Sequence, residues 1–213
     1  SPKRVPLDVR LEEEIDRGTY VLRRITYQSE PGSRTPAFLC IPKAALAGNT
    51  TTSASARPFP AVLCRHPTDQ TAGAGVVVGL GGKPNRQYAS ELATRGYVTI
   101  APAYPHLAGY APDLKGLDYA SGTMKAIWDN TRALDVLESL SFVKRTAGFG
   151  AIGHSLGGLT TLLAAGLRPE PGLARRCERA LDGIPLTNLS RLLQCQLHEM
   201  FISGAVDDLH LIH

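Results

Sequence analysis

One stretch constrains this chain more than any other: Phe149-Gly150-Ala151-Ile152-Gly153-His154-Ser155-Leu156-Gly157-Gly158-Leu159. A short apolar run leads into a G-x-S-x-G turn, and Leu156, Leu159, Leu162, Leu163 and Leu167 follow at helical spacing, which predicts strand, tight turn and helix. The bare motif says little in a chain with 21 glycines, where an ordinary strand-to-helix turn meets the same spacing by chance. The flanking strand and helix give it weight. Gly153 and Gly157 are read as positions where a side chain would strike the strand or the helix. Ser155 is thereby lifted to the carboxyl edge of a sheet as a candidate nucleophile, and the Leu156 N–H at the helix start faces the place where an oxyanion would develop.

The remaining pattern is that of an α/β chain. A length of 213 residues fits a single domain over 1–213, and 43% hydrophobic content supports one core. From Pro60 onward strands and helices alternate. The run Ala61-Val62-Leu63-Cys64 is a buried strand, and Asn85 is placed to cap a helix bearing Tyr88, Ala89, Leu92 and Ala93. Gly96 ends that helix before the strand from Tyr97 to Ala101. Met124, Ile127, Trp128, Thr131, Leu134 and Leu137 predict a helix over about 122–140, with Trp128 as core packing, which returns to the strand ending at Ile152. Right-handed crossovers of this kind give a mostly parallel sheet with helices on both faces. Its ligand site gathers where Cys64, Ala101 and Gly153 end their strands. Ahead of this core, Leu11, Ile15 and the run Glu12-Glu13-Glu14 predict a short amphipathic helix. Tyr20–Tyr27 and Pro36–Ile41 predict a hairpin, turned at Pro31-Gly32-Ser33. Residues 44–58 are small and polar and are read as a flexible insertion loop, so the core is assigned to 35–165 and 166–213 is left without an assignment.

Several function classes are set aside. The formal charge of +4, with Arg168, Arg175, Arg176 and Arg179 grouped but no aromatics between them, reads as a solvated face, and no nucleic-acid partner is expected. Cys40, Cys64, Cys177 and Cys195 form no C-x-x-C pair and are read as free thiols. Gly79-Leu80-Gly81 follows Val76-Val77-Val78 as in a dinucleotide loop, but Pro84 stands where the third glycine is needed, and Lys83 is not followed by Ser or Thr. His198-Glu199 lacks a second histidine at Ile202. No metal and no cofactor are expected, and no apolar run is long enough to span a membrane. Localisation is left open, cytoplasmic by default, with secretion allowed because the chain starts at Ser1.

Taken in order, Pro36–Pro42, Leu63-Cys64-Arg65-His66-Pro67-Thr68, Gly79–Asn85, Arg95–Pro102 and the serine turn resemble the dienelactone hydrolase and acetyl-xylan-esterase-like branch of the α/β-hydrolases, from about Thr35 to Ala165. The resemblance implies a cofactor-free serine hydrolase of carboxylic esters acting on a small-molecule ester. It also implies a second oxyanion amide from the loop after the first parallel strand. Pro67 has no N–H, so the Thr68 amide is read as that donor, with a simple turn of the chain as the alternative, and His66 is read as orienting the loop. Tyr104, His106 and Tyr110 are candidate substrate contacts or simply packing for their loop. The family order is serine, acid, histidine. Asp207, after the apolar run Met200-Phe201-Ile202, is the candidate acid, with a polar turn as the equal alternative. His210 and His213 follow too closely for the usual helix and strand, so the base is unassigned. The fold is accordingly expected to be incomplete at its C-terminal end, with an exposed sheet edge open to self-association. The alternative function is a catalytically impaired hydrolase-fold remnant or binding protein.

Overall fold

The computed structural model describes residues 2–47, 58–145, 148–167 and 201–203. Among these, seven strands form one sheet in the order β1-β2-β3-β5-β4-β6-β7. The strands are β1 (Arg10–Asp16), β2 (Tyr20–Glu30), β3 (Ser33–Pro42), β4 (Ala61–Arg65), β5 (Val98–Pro102), β6 (Gly150–Gly153) and β7 (Phe201–Ser203). The helices are α1 (Lys43–Ala47), α2 (Tyr88–Thr94), α3 (Gly122–Ser139) and α4 (Leu156–Leu167), with a 3-10 turn at Gly73–Val78.

The mostly parallel sheet expected from strand–helix alternation is a mixed one. Only β5, β4 and β6 run parallel to one another, and the pairings β1–β2, β2–β3, β3–β5 and β6–β7 are antiparallel. The parallel centre follows from the crossovers through α2 and α3, and the antiparallel flank from two tight turns. Helices cover both faces, as the pattern required. On one face Ile25, Leu39, Leu63 and Ile100 meet Ala133, Leu134 and Leu137 of α3. On the other, Leu22, Val62, Cys64 and Ile152 meet Val77 and the α2 residues Ala89, Leu92 and Ala93. Each Val, Leu or Ile side chain so removed from water contributes about 1.5–3 kcal/mol.

Three local expectations are corrected. Residues 10–16 are not a helix but the edge strand β1. Glu14 pairs across to Arg23 at 2.6 Å and Glu13 to Arg24 at 3.6 Å, so the acidic run is used at strand register, where the open edge of β2 overrides a weak helical pattern. Within the predicted 44–58 loop, the short helix α1 occupies Lys43–Ala47, with Ala45 buried in the core. Helix α2 starts at Tyr88, and Asn85 does not cap it: its φ is 61°, a left-handed turn conformation, and the N-cap is Gln87. The apolar run Val76–Val78 lies in the 3-10 turn.

Helix α3 matches its predicted bounds, begun by Ser121, whose Oγ accepts from the Met124 N–H. Its apolar stripe is buried only in part, with Ile127, Leu134 and Leu137 inside. Met124 is exposed, and Trp128 is half-buried and donates Nε1–H to the Ser29 carbonyl at 2.9 Å. Lys125 and Asp129 are completely buried in their place. Lys125 Nζ bonds Asp129 Oδ1, Glu30 Oε1 at 3.1 Å and Ser29 Oγ at 3.0 Å. Asp129 also accepts from Thr35 and Tyr110 hydroxyls, each at 2.8 Å, and Glu30 accepts from Tyr119 at 3.0 Å. Removing one partner of a buried pair leaves the other charge uncompensated at a cost of about 3–5 kcal/mol. Asp129→Ala is therefore expected to lower unfolding stability by about that amount in urea titration, while Glu12→Ala, on the exposed edge, changes it by less than about 0.5 kcal/mol.

Candidate active site

Strands β4, β5 and β6 end at the same edge of the sheet, and the segments leaving them are neighbours: 66–73 after β4, 103–121 after β5, and His154-Ser155 after β6. The turn of the β2–β3 hairpin rises at this edge too, because Ala37 of β3 pairs with Pro102 at the end of β5.

Ser155 is exposed and sits two residues beyond the end of β6 and directly before the first residue of α4, with φ at 54°. A left-handed φ is costly for a non-glycine residue and persists only when the surroundings impose it. Here they do. A Cβ on Gly153 would strike the backbone of Gly157 and Gly158, and one on Gly157 would strike the carbonyls of Arg65 and His66. The helix start is thus pressed onto the ends of two strands, with no room for the chain to relax at Ser155. The Gly157 N–H bonds the His154 carbonyl at 2.9 Å and the Leu159 N–H the Ser155 carbonyl at 3.1 Å. Leu156 opens α4, where the first N–H groups of a helix have no intrahelical acceptor.

The segment after β4 is organised around buried polar groups. His66 is buried and its Nδ1 lies 2.8 Å from the Pro67 carbonyl, which fixes Nδ1–H as donor and leaves Nε2 as the acceptor of a neutral ring. Burial pushes its pKa below the ordinary 6.5, opposed by that carbonyl. Thr68 is exposed at the bend that follows. Asp69 Oδ1 then accepts from the Thr71 and Ala72 N–H groups at 2.9 and 2.7 Å, and these backbone donors hold its carboxyl below the usual range.

Arg65, at the end of β4, is a residue sequence reasoning missed. It is 3% exposed, and its Nη1 and Nη2 find no hydrogen-bond partner among the described residues. Desolvation lowers its pKa to about 9, with Tyr27, Tyr104, Tyr88 and Asp129 acting the other way, so it stays a cation at neutral pH. Its only sequence signal was a charge inside an apolar strand, Val62-Leu63-Cys64-Arg65.

The other expected residues are distributed as follows. Tyr104 and His106 stand over the start of α3, Tyr104 with its hydroxyl 2.7 Å from Thr123 Oγ1, and His106 exposed with φ 65°. They share Ser155's edge but follow β5, two strands from β6, or about 10 Å at ordinary strand spacing. A cavity of about 560 Å³ lies farther along, lined by Arg34, Tyr110, Asp113 and Leu117, without Ser155. Cys40 and Cys64 are free and buried, with the Cys40 thiol pushed up to about 12 by desolvation. Asp207, His210, His213, Cys177, Cys195 and the arginines from 168 to 179 lie outside the described residues. Strand β7 runs antiparallel to β6, beginning beside Gly153 and ending beside Ala151. Among the described residues, no His, Cys, Asp or Glu side chains form a metal-binding cluster.

A strand, a left-handed serine and a helix packed through two glycines, on a sheet with helices on both faces, decide the architecture. This is an α/β-hydrolase fold. Solved structures with this arrangement include a protein assigned as an acetyl xylan esterase of Bacteroides fragilis, 15% identical with a TM-score of 0.60 over 78% of this chain and 46% of that one. An acetyl xylan esterase from Paenibacillus sp. R4 is 19% identical at a TM-score of 0.54, over 77% and 51%. The methylesterase BT1017 is 18% identical at 0.55, over 77% and 33%. The chain therefore spans about half the length of the two acetyl xylan esterases it matches. No protein-family model matches the sequence, and no curated protein matches it as a relative.

Two expectations follow from the α/β-hydrolase geometry. Because the folded His66 binds a proton less readily than the unfolded chain, its contribution to stability is complete above about pH 6.5 and declines as pH falls below that value. Thermal unfolding midpoints measured from pH 8 to 5 should drop on the acid side, and His66→Asn, which keeps an N–H for the Pro67 carbonyl, should flatten that drop. Gly157→Ala should destabilise by at least about 1–3 kcal/mol, the cost of forcing a methyl into a filled space, read by denaturant titration.

Proposed function

We propose that the protein is a serine esterase whose nucleophile is Ser155. The observation that carries this reading is the φ of 54° at Ser155, held by two glycines that leave no space for a Cβ. Strain of this kind at an exposed serine has no packing purpose and suits a nucleophile raised above the sheet. The esterase names of the matched structures support the substrate class.

In this reading Ser155 Oγ bonds to the carbonyl carbon of a carboxylic ester while its proton passes to a base. The carbonyl oxygen takes the negative charge and is held by the Leu156 N–H and, from the bend after β4, the Thr68 N–H. Collapse of the tetrahedral species expels the alcohol, which takes the proton, and water then releases the acid from the acyl-serine. Tyr104 and His106 border the alcohol or acyl group from the loop after β5. No cofactor enters the scheme. Asp207 serves as the acid only if the chain past β7 turns back toward the carboxyl edge, since β7 itself runs toward the opposite one. That direction favours a second reading, a hydrolase-fold protein whose serine lacks a complete relay and retains only what oxyanion donors provide, roughly 10³–10⁴-fold over water.

A fluorophosphonate probe is expected to label Ser155 and to leave Ser155→Ala unlabelled, mapped by peptide mass spectrometry. Labelling of a different serine with Ser155 untouched would overturn the assignment. Short-chain nitrophenyl ester turnover separates the two readings: an esterase loses its activity on Ser155→Ala, whereas an impaired fold shows the same low rate in both forms.

A further inference from the structure

The segment 103–121 contains three non-glycine residues in left-handed conformation, His106 at φ 65°, Ala108 at 47° and Asp118 at 60°, and the proposed chemistry uses only the first. Around Ala108 the strain has a visible counterpart. The His106 N–H bonds the Tyr110 carbonyl at 2.6 Å and the Tyr110 N–H bonds the Leu107 carbonyl at 3.1 Å, closing a small turn with Ala108 at its tip. From that tip the Ala108 N–H reaches out of its own loop to the Gln70 carbonyl at 3.2 Å. Its methyl lies so near Gly73 that a Cβ there would come within 2.6 Å of it. The same Cβ on Gly73 would stand 4.0 Å from His66 Cε1. The Ala108 tip is therefore packed on Gly73, with the His66 ring nearby.

The base of the turn is fixed independently. Tyr110 is buried and gives its hydroxyl to Asp129 Oδ2 at 2.8 Å, and Asp129 is in turn held by Lys125 and Thr35. Burial and the neighbouring Asp129 carboxylate raise the Tyr110 pKa, so its hydroxyl remains a donor across the working pH range. From the other direction, Asp69 ties the stretch 69–73 to itself through backbone N–H groups, and the His66 ring bonds its own neighbour Pro67. The start of the segment is set against α4 by Gly157, which lies on the Arg65 and His66 carbonyls, and its far end, from Gln70 to Gly73, by the contact from the neighbouring loop.

We propose that Ala108, at the tip of a turn anchored through Tyr110 to the buried Asp129, is a positioning residue that sets the oxyanion segment 66–73 against Ser155. This rests on the reading of Ser155 as nucleophile and of the Thr68 amide as an oxyanion donor. The absent side chain at Gly73 is the seat for the Ala108 methyl, and the Ala108 N–H to Gln70 bond holds the two segments in register. An amide displaced from an oxyanion by a fraction of an ångström acts chiefly on the chemical step, where loss of a whole donor costs about 10²–10³ in kcat.

The test compares the native chain with Gly73→Ala, Ala108→Gly, the double variant and Tyr110→Phe. Gly73→Ala adds the clashing methyl, and Ala108→Gly removes its target, so the double variant separates the clash from the φ of 50° at residue 73. In Gly73→Ala the rate of Ser155 phosphonylation and the kcat for a nitrophenyl ester are expected to fall at least about 10-fold with KM little changed, and the double variant to recover most of that loss. Amide hydrogen exchange at Thr68–Ala72 is the second readout and needs no activity: it should quicken in Gly73→Ala and in Tyr110→Phe, and slow again in the double variant. Exchange in 68–72 that is unmoved by both Gly73→Ala and Tyr110→Phe overturns the proposal, as does a double variant no better than Gly73→Ala in either readout. If the exchange pattern appears while Ser155 is never labelled in the native chain, it is the nucleophile reading that fails and the loop coupling that stands.

Discussion

Gly157 lies directly on the carbonyls of Arg65 and His66, while Gly153 faces the backbone of Gly157 and Gly158. Through this contact the first turn of α4 touches two adjacent strands at once, and nearly everything at the carboxyl edge depends on it. It forces Ser155 into a left-handed φ, because the chain must reverse between β6 and α4 within a single residue pair. It also locks the height of α4 against β4, so the segment leaving β4 starts next to the serine. A methyl at Gly157 would have to be absorbed by main-chain atoms of β4, which cannot shift without breaking ladder hydrogen bonds, and one at Gly153 by the main chain of the first turn of α4.

Beneath that edge, the polar interior of α3 does a different job. Lys125, Asp129 and Glu30 are buried together with the hydroxyls of Tyr110, Tyr119, Thr35 and Ser29. Such a cluster is a poor source of net stability compared with apolar packing, because each charge loses its hydration. What it supplies is geometry. Its donors and acceptors come from β2, β3, α3 and the 103–121 segment, so satisfying them allows one placement of that segment over the sheet. Arg65 extends the cluster's charge toward the serine, balanced through space by Asp129.

The far edge of the sheet is handled by charge. Strand β1 exposes Arg10 and Glu12–Glu14, and Asp16 bonds Lys43 at 2.7 Å. Ionised side chains along a free strand discourage addition of another, since pairing would desolvate them.

Much of the fold was legible in the sequence because its signals are local. The strand before Gly153, the helix after Ser155 and the hairpin of β2 and β3 each follow from periodicity and turn residues within a few positions. The need for glycine at 153 and 157 follows from the tightness of one turn. The sequence by itself also determined that Cys40 and Cys64 are buried hydrophobes, since both lie in apolar runs. The tertiary structure decided what depends on partners distant in the chain. Residues 10–16 became a strand because β2 offered them an edge and Arg23 and Arg24 opposite their glutamates. Lys125 and Asp129 went inside, displacing Met124 and Trp128, because Glu30, Thr35 and Tyr110 waited there with complementary charge and hydrogen bonds. No window of helical spacing contains that information. The pairing of Ala108 with Gly73 is of the same kind: two unremarkable small residues acquire a role only when folding sets the loops after β4 and β5 side by side.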